Sequence, residues 1–310
     1  MMVAGEARSI WLKLEADNPS GSVKHRTALS LVRQLEHEAR LDKGGVLLES
    51  TSGNLGVALA FVARQRGLRF CAVVDQNVQQ PLLKKMLALG ATVEMVCEAD
   101  SQGGYLDARL ARVKELMCSS PAYVWTNQYE APANPATHAA TTGPELWLQS
   151  EGAVDALFMA VSTGGTLAGV AQYLRDVAPH VSVIAVDAIG SAALGNAAGP
   201  RRLTGIGSSR ISAFIEPWMY RSSILVSDAE AFAMCRALKE GTGISVGGSS
   251  GAVLVACSRY LEEHPEVQYP VCLCADGGVN YTHTIFSDSW LEQNDLLYLL
   301  GDQRLQFARC

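Results

Sequence analysis

Apolar residues along the chain concentrate in short runs, separated by longer stretches in which they recur at helical spacing. The runs are Val46-Leu47-Leu48-Glu49, Phe70 to Val74, Ala91 to Val96, Ala156 to Val161, Val181 to Val186 and Val271 to Cys274. Such runs predict strands, and Phe70 to Val74 and Ala156 to Val161 read as buried strands. Between the runs, helices are predicted over Arg26 to Leu35, Val57 to Gly67, Pro81 to Leu89, Ala108 to Met117, the stretch from Gly164-Gly165 through Arg175, Ala229 to Glu240 and Gly251 to Tyr260. Gly67 and Gly90 stand where helices should stop. Repeated β-α-β units imply mostly parallel, twisted sheets with helices on both faces. The alternation falters between 120 and 135, around Pro121, Pro132 and Pro135. That interruption divides the chain into two α/β lobes, 1–134 and 135–310, with the segment up to Leu14 able to pack on the second lobe. After Val186, Asp187-Ala188-Ile189-Gly190 opens a Gly/Ala/Ser-rich loop through Ile211. A loop that long in a compact domain is functional or mobile.

Composition narrows the class. Of 310 residues, 48% are hydrophobic and 18% charged, enough for a sizeable core. The net charge of -6 provides no basic surface for nucleic acid. No apolar run approaches the roughly 18 residues that span a bilayer, and no charged segment followed by an apolar one marks a signal peptide. A cytoplasmic protein is expected. Cys71, Cys97, Cys118, Cys235, Cys257, Cys272, Cys274 and Cys310 form no C-x-x-C pair and no metal-ligand spacing, so no metal is expected. Most sit in apolar runs and read as buried free thiols of a reducing compartment.

Three segments carry candidate chemistry. Lys24 lies in Asn18-Pro19-Ser20-Gly21-Ser22-Val23-Lys24-His25-Arg26, between a polar turn and the helix predicted from Arg26. A lysine amine has an ordinary pKa of about 10.4. Burial and nearby positive charge, here from Arg26, lower it toward the neutral nucleophile. Ser50-Thr51-Ser52-Gly53-Asn54-Leu55-Gly56 joins a strand to a helix. Free N–H groups at a helix start attract anions and Gly53 allows close approach. The hydroxyls of Thr51 and Ser52 add donors, which suits a substrate carboxylate, and Asn54 brings a donor for a cofactor oxygen. Ser162-Thr163-Gly164-Gly165-Thr166 repeats the strand-turn-helix arrangement with three hydroxyls, which suits a phosphate dianion. It is neither a Walker motif nor a dinucleotide fingerprint. Each segment alone has a plainer reading: a solvated lysine or a capped helix start. In this order, the set reads as a Schiff-base lysine with a cradle for pyridoxal 5'-phosphate.

These residues resemble the fold-type II pyridoxal-phosphate enzymes, the cysteine synthase and cystathionine β-synthase family, from about Ile10 to Trp290. Asn127-Gln128-Tyr129 with Ala133-Asn134-Pro135, and Gly247-Gly248-Ser249-Ser250-Gly251, extend the match. The resemblance implies an α/β fold of two lobes, tryptophan synthase β-like. It implies that Lys24 holds the cofactor and moves the α-proton, that Asn54 meets the 3'-oxygen, and that Ser162, Thr163, Gly164, Gly165 and Thr166 receive the phosphate. Ser249 would face the pyridine nitrogen, with Asp276 as its rival. Thr51, Ser52, Gly53 and Gln128 would bind the substrate α-carboxylate.

Three departures separate the chain from plain cysteine synthases: Tyr129 for Phe, Ser162 for Gly, and His25 for Asp after the lysine. The first two resemble the subgroup, active in siderophore and antibiotic pathways, that joins O-phospho-L-serine to L-glutamate through the glutamate amine. Tyr129 and Ser162 then stand near the leaving group or nucleophile. Arg210, in Gly205-Ile206-Gly207-Ser208-Ser209-Arg210, would clamp a phosphate or a glutamate carboxylate. Alternatives are a cysteine or cystathionine synthase, a serine or threonine dehydratase, and a ligand-binding homologue without turnover. The family implies amino-acid substrates and a homodimer. The apolar run Leu296 to Leu300 fits an interface or a core element.

Overall fold

The computed structural model describes residues 1–3, 5–41, 44–51, 53–99 and 104–300. In chain order its strands and helices are β1 (Met2–Val3), β2 (Glu6–Ala7), β3 (Trp11–Leu14), α1 (Lys24–His37), β4 (Val46–Ser50), α2 (Asn54–Arg66), β5 (Arg69–Asp75), α3 (Gln80–Ala88), β6 (Thr92–Val96), α4 (Leu106–Ser119), β7 (Tyr123–Trp125) and α5 (Ala133–Thr137). A π-helical turn, His138–Thr142, leads into α6 (Gly143–Gln149), β8 (Ala156–Ala160), α7 (Gly165–Val177), β9 (Ser182–Ala188), β10 (Ser222–Val226), α8 (Asp228–Thr242), α9 (Gly248–Glu263), β11 (Pro270–Cys274), α10 (Asp288–Gln293) and α11 (Leu297–Leu300).

The chain forms two compact units: Asn18–Thr137 is one, and Met1–Asp17 with His138–Cys310 is the other. In the smaller unit four strands run in the order β6-β5-β4-β7, every neighbouring pair parallel. β5 is buried along almost its whole length, and so are the last four residues of β4. Burial on both faces is why these strands read as unbroken apolar runs. Helix α2 packs on this sheet with Leu55, Val57, Leu59 and Val62 buried, and Gly67 ends it with a left-handed φ of 65°.

In the larger unit five parallel strands run β10-β9-β8-β11-β3. Its core includes Phe158, Ile184, Phe232, Val253 and Leu254. Ser227 starts α8 with a reciprocal capping box: its Oγ accepts the Glu230 N–H at 3.4 Å, and the Glu230 carboxylate accepts the Ser227 N–H at 2.9 Å. α8 and α9 pack closely at Gly251, where an added Cβ would lie 2.2 Å from the Ala231 carbonyl oxygen. Leu296 and Leu297 pack against this core, while Tyr298 is exposed.

Cys71, Cys235, Cys257, Cys272 and Cys274 are buried thiols, and burial pushes Cys274 up to about 12. Cys97 and Cys118 are exposed, because each falls just after an element's apolar stretch or on its outer face. Cys310 lies outside the described residues. Among the described residues no helix is long and apolar enough to cross a membrane.

Candidate active site

In a parallel sheet, every strand delivers its following loop to the same edge, where ligands bind. In the smaller unit, neighbouring strands β4 and β7 deliver Ser50, Thr51, Gly53 and Asn54 and the segment Thr126–Tyr129 to one such edge. Lys24 opens α1, two residues earlier than the sequence pattern predicts. The cause is local. Gly21 turns the chain with φ 83° and gives its N–H to the Asn18 carbonyl at 2.7 Å. Val23 already has helical angles, and the buried Ser22 accepts the Lys24 N–H on its Oγ at 3.3 Å. Lys24 is half-buried. Next to it, the His25 ring meets Phe61 of α2 edge-on, with centroids 5.6 Å apart.

The Thr51 side chain is buried, and its Oγ1 accepts the Gly56 N–H at 3.0 Å. Thr51 thereby caps the first turn of α2 from outside the helix while its hydroxyl proton remains a donor. Glycine at 56 lets Met86 and Thr51 pack on this turn: a Cβ would lie 2.4 Å from Met86 Sδ and 3.0 Å from Thr51 Cγ2. Gly53 is the extended N-cap and Asn54 the first helical residue, with no acidic side chain in that turn. Ser52 lies outside the described residues.

Gln128 is buried, and Tyr129 after it is half-buried. Asn127 has a left-handed φ of 49°, which reverses the chain after β7. Gln128 then gives its backbone N–H to Glu49 Oε2 at 3.0 Å and its Nε2 to the Ser50 carbonyl at 2.9 Å. Among the described residues, one amide hydrogen of Gln128 is thus committed and one remains.

Glu49 is fully buried, a placement that its position in the sequence does not announce. Its Oε1 accepts the Ser50 N–H at 2.8 Å and the Trp125 indole N–H at 3.3 Å. Its Oε2 accepts the Thr126 hydroxyl at 2.5 Å as well as Gln128. Burial holds the Glu49 carboxyl above the usual carboxylate range, and the four donors offset only part of that shift. The only signal in the sequence was an acidic residue at the end of an apolar run.

In the larger unit, β8 and its neighbour β11 deliver Ser162–Thr166 and Asp276 to one edge. Gly164 has φ 91°, and a Cβ there would lie 2.2 Å from Ser212 Oγ and 2.8 Å from Ile215 Cγ1. Gly165 opens the 13-residue α7, again with no acidic side chain in its first turn. Ser162 Oγ donates to the Gly207 carbonyl at 3.1 Å, and Ser212 Oγ to the Thr163 carbonyl at 2.7 Å. Both bonds pin the long loop to this turn. Thr163 and Thr166 are buried. Thr166 Oγ1 lies 3.3 Å from His138 Nε2, and His138 Nδ1 lies 2.8 Å from Thr142 Oγ1. His138 is fully buried in the π-helical turn, a feature with no periodicity signal in the sequence. A turn of backbone and hydroxyl donors at the positive end of a helix, free of carboxylates, fits a phosphate group.

Ser249 is buried in the first turn of α9, and a Cβ on Gly205 would lie 3.7 Å from its Oγ. Asp276 is buried beside the same turn: a Cβ on Gly247 would lie 2.1 Å from its Oδ1, and Tyr281 donates its hydroxyl to Oδ2 at 2.6 Å. Burial and the Asp276 charge push the Tyr281 phenol well up, so it stays the donor. Arg210 is half-buried in the long loop, its backbone N–H held by Ser208 Oγ at 3.1 Å. The smaller unit therefore holds Lys24, Thr51, Gly53, Asn54, Gln128 and Tyr129, and the larger holds Ser162 to Thr166, Arg210 and Ser249.

The profile of the family described as pyridoxal-phosphate dependent enzyme matches residues 3–275. N-(2-amino-2-carboxyethyl)-L-glutamate synthase of Ralstonia nicotianae is 41% identical over 287 residues, which is 93% of this chain and 85% of the relative. The protein of the same name from Cupriavidus metallidurans is 38% identical over 285 residues, 91% of this chain and 84% of its own. Among solved structures, the O-acetylserine dependent cystathionine beta-synthase from Helicobacter pylori superposes with a TM-score of 0.83 at 32% identity, covering 89% of each chain.

Proposed function

This chain belongs to the pyridoxal-phosphate-dependent enzyme family, and on that premise we propose that it joins O-phospho-L-serine to L-glutamate, giving N-(2-amino-2-carboxyethyl)-L-glutamate and phosphate. The observation that carries this reading is the likeness, over more than nine-tenths of the chain, to two synthases of that name. Tyr129 and Ser162 support it, as hydroxyls at two positions that resemble the same subgroup. The net change is a β-replacement. The Cβ–O bond of phosphoserine breaks, phosphate leaves, and the glutamate nitrogen bonds to Cβ and releases a proton. The product would serve 2,3-diaminopropionate formation in siderophore or antibiotic biosynthesis.

When bound, the cofactor supplies the electron sink that lets bonds at Cα and Cβ of an amino acid break. The protein's part is to bind, orient and move one proton. Lys24 would hold the cofactor's aldehyde carbon and then carry the proton from and back to Cα of the substrate. Thr163, Gly164, Gly165 and Thr166 would hold the cofactor's phosphate, the role that the carboxylate-free start of α7 supports. Asn54 would meet its 3'-oxygen. Ser249 or Asp276 would face its ring nitrogen; both sit at the Gly247-Gly248 turn. Thr51, Ser52, Gly53 and Gln128 would take the α-carboxylate of the substrate, with Tyr129, Ser162 and Arg210 serving the leaving phosphate or the incoming glutamate. Arg210 suits either anion through its planar fork.

The test is to give the holoenzyme O-phospho-L-serine with L-glutamate, sulfide or homocysteine in separate reactions, and to follow phosphate and product mass. The reading predicts phosphate and the glutamate adduct in equal amounts, and slower turnover with either thiol. Faster thiol addition would make it a cysteine or cystathionine synthase. Keto acid and ammonia released without any acceptor would make it a dehydratase.

A further inference from the structure

The smaller unit contains a buried carboxylate to which the proposed chemistry assigns no role. Glu49 has no exposed surface, and both of its oxygens are engaged twice. A buried carboxylate is expensive to keep, so its placement needs a reason. Its four donors come from the two segments that follow neighbouring strands β4 and β7: Ser50 on one side, Trp125, Thr126 and Gln128 on the other. Two further bonds continue the network. Gln128 Nε2 returns to the Ser50 carbonyl at 2.9 Å, and Asn134 Nδ2 donates to the Gln128 carbonyl at 2.8 Å. Asn134 Oδ1 in turn accepts the Thr27 hydroxyl at 3.3 Å, one turn along α1 from Lys24. A chain of side-chain and main-chain bonds thus runs from the lysine helix through Asn134 and Gln128 to Glu49 and Ser50 at the end of β4.

We infer that Glu49 is a positioning residue for the substrate carboxylate. Its two oxygens lock Gln128 to the end of β4, so that the remaining amide hydrogen of Gln128, the Thr51 hydroxyl and the Gly53–Asn54 start of α2 face one anion in a fixed arrangement. The inference rests on the reading of Gln128 and this turn as the carboxylate site. Geometry makes the requirement specific. Each Glu49 oxygen faces a main-chain N–H, from Ser50 on one side and Gln128 on the other, so an amide NH2 in place of either oxygen meets a donor head-on. Glutamine, although of nearly equal size, cannot substitute. Asn127 contributes to the same arrangement: its left-handed turn is what aims the Gln128 N–H back at Oε2.

The test uses the holoenzyme and L-alanine, which offers an α-carboxylate and no leaving group, titrated by the change in the cofactor's absorbance. Glu49→Gln should raise the L-alanine dissociation constant about 10- to 100-fold, the range of hydrogen bonds to a charged group, with the resting absorbance unchanged. Turnover at saturating substrate should fall by less than that. Thr126→Val, which removes one of the four donors and keeps the side-chain shape, should act in the same direction more weakly, and Thr126→Ser should restore binding. This second series decides the matter if Glu49→Gln does not fold. Gln128→Ala is the reference, and combining it with Glu49→Gln or Thr126→Val should weaken binding no further than Gln128→Ala alone. If Gln128→Ala itself leaves L-alanine affinity unchanged, the carboxylate-site reading fails and this inference with it. If Gln128→Ala weakens binding but the Glu49 and Thr126 variants do not, or if their effects add to it, the reading stands and the positioning role of Glu49 is overturned.

Discussion

His25 illustrates how far a single position can be read from its neighbours in the chain. The sequence places it beside the lysine but at the start of a helix, where its ring is expected to point elsewhere and not to serve as a general base. The structure turns its ring against Phe61, and among the described residues its Nδ1 finds no hydrogen-bond partner. Burial lowers its pKa below the ordinary 6.5, and the adjacent Arg26 adds to the shift. The sign of the consequence follows. The unfolded chain takes up a proton on this ring at about 6.5, while the folded chain resists it until lower pH. The stabilisation is therefore complete above about pH 6.5 and is lost as pH falls through that value toward the folded pKa. Nuclear magnetic resonance titration of the His25 ring should give a midpoint below 6.5, and His25→Gln should flatten the acid side of the melting-temperature profile. A midpoint at or above 6.5 contradicts this account. Glu49 makes the complementary point. Nothing in Val46-Leu47-Leu48-Glu49 distinguishes a solvated glutamate at a strand end from a buried one, because its four partners come from its own neighbour and from a segment more than seventy residues away.

Elements were legible where one physical signal dominated. β4, β5, β8, β9 and β11 are buried in the interior of their sheets, so their apolar runs stand out. β10 is an edge strand with alternating exposure and the polar pair Ser222-Ser223, and β7 has only three residues; neither pattern rises above its surroundings. The stretch from 133 to 149 is a short helix, a π turn and another helix, whose changing periods cancel any single pattern. Helix α9 begins at Gly248, three residues before the apolar pattern that predicts it, because its first turn is spent on glycine and serine. The glycine at 251 has a packing reason: a Cβ there would meet the Ala231 carbonyl at 2.2 Å and Cys235 Sγ at 2.5 Å. Gly251→Ala must push α8 away from α9. Overpacking of this kind costs about 1–3 kcal/mol, outweighing the roughly 1 kcal/mol that alanine gains over glycine within a helix. A melting experiment should show a clear drop for Gly251→Ala; an unchanged or higher melting temperature would mean that the two helices are not in such close contact.

At the scale of the whole molecule, the two parallel sheets follow one plan. Each sends a glycine-bearing turn from the end of an interior strand into the start of a helix with no carboxylate in its first turn: Gly53 into α2, Gly164 into α7. Both turns were legible because strand, glycine turn and helix are contiguous in the chain. Their supporting contacts were not, because they come from distant segments: His138 beside Thr166, Gly207 under Ser162, Ser212 against Thr163. Family membership implies one cofactor, pyridoxal 5'-phosphate, and the proposed chemistry depends on which amine carries it. Borohydride reduction of the holoenzyme followed by peptide mass mapping measures that directly. The account predicts one reduced pyridoxyl-phosphate group, on the peptide containing Lys24, and neither that group nor turnover in Lys24→Ala. The same group found on another lysine, or turnover retained by Lys24→Ala, would contradict it.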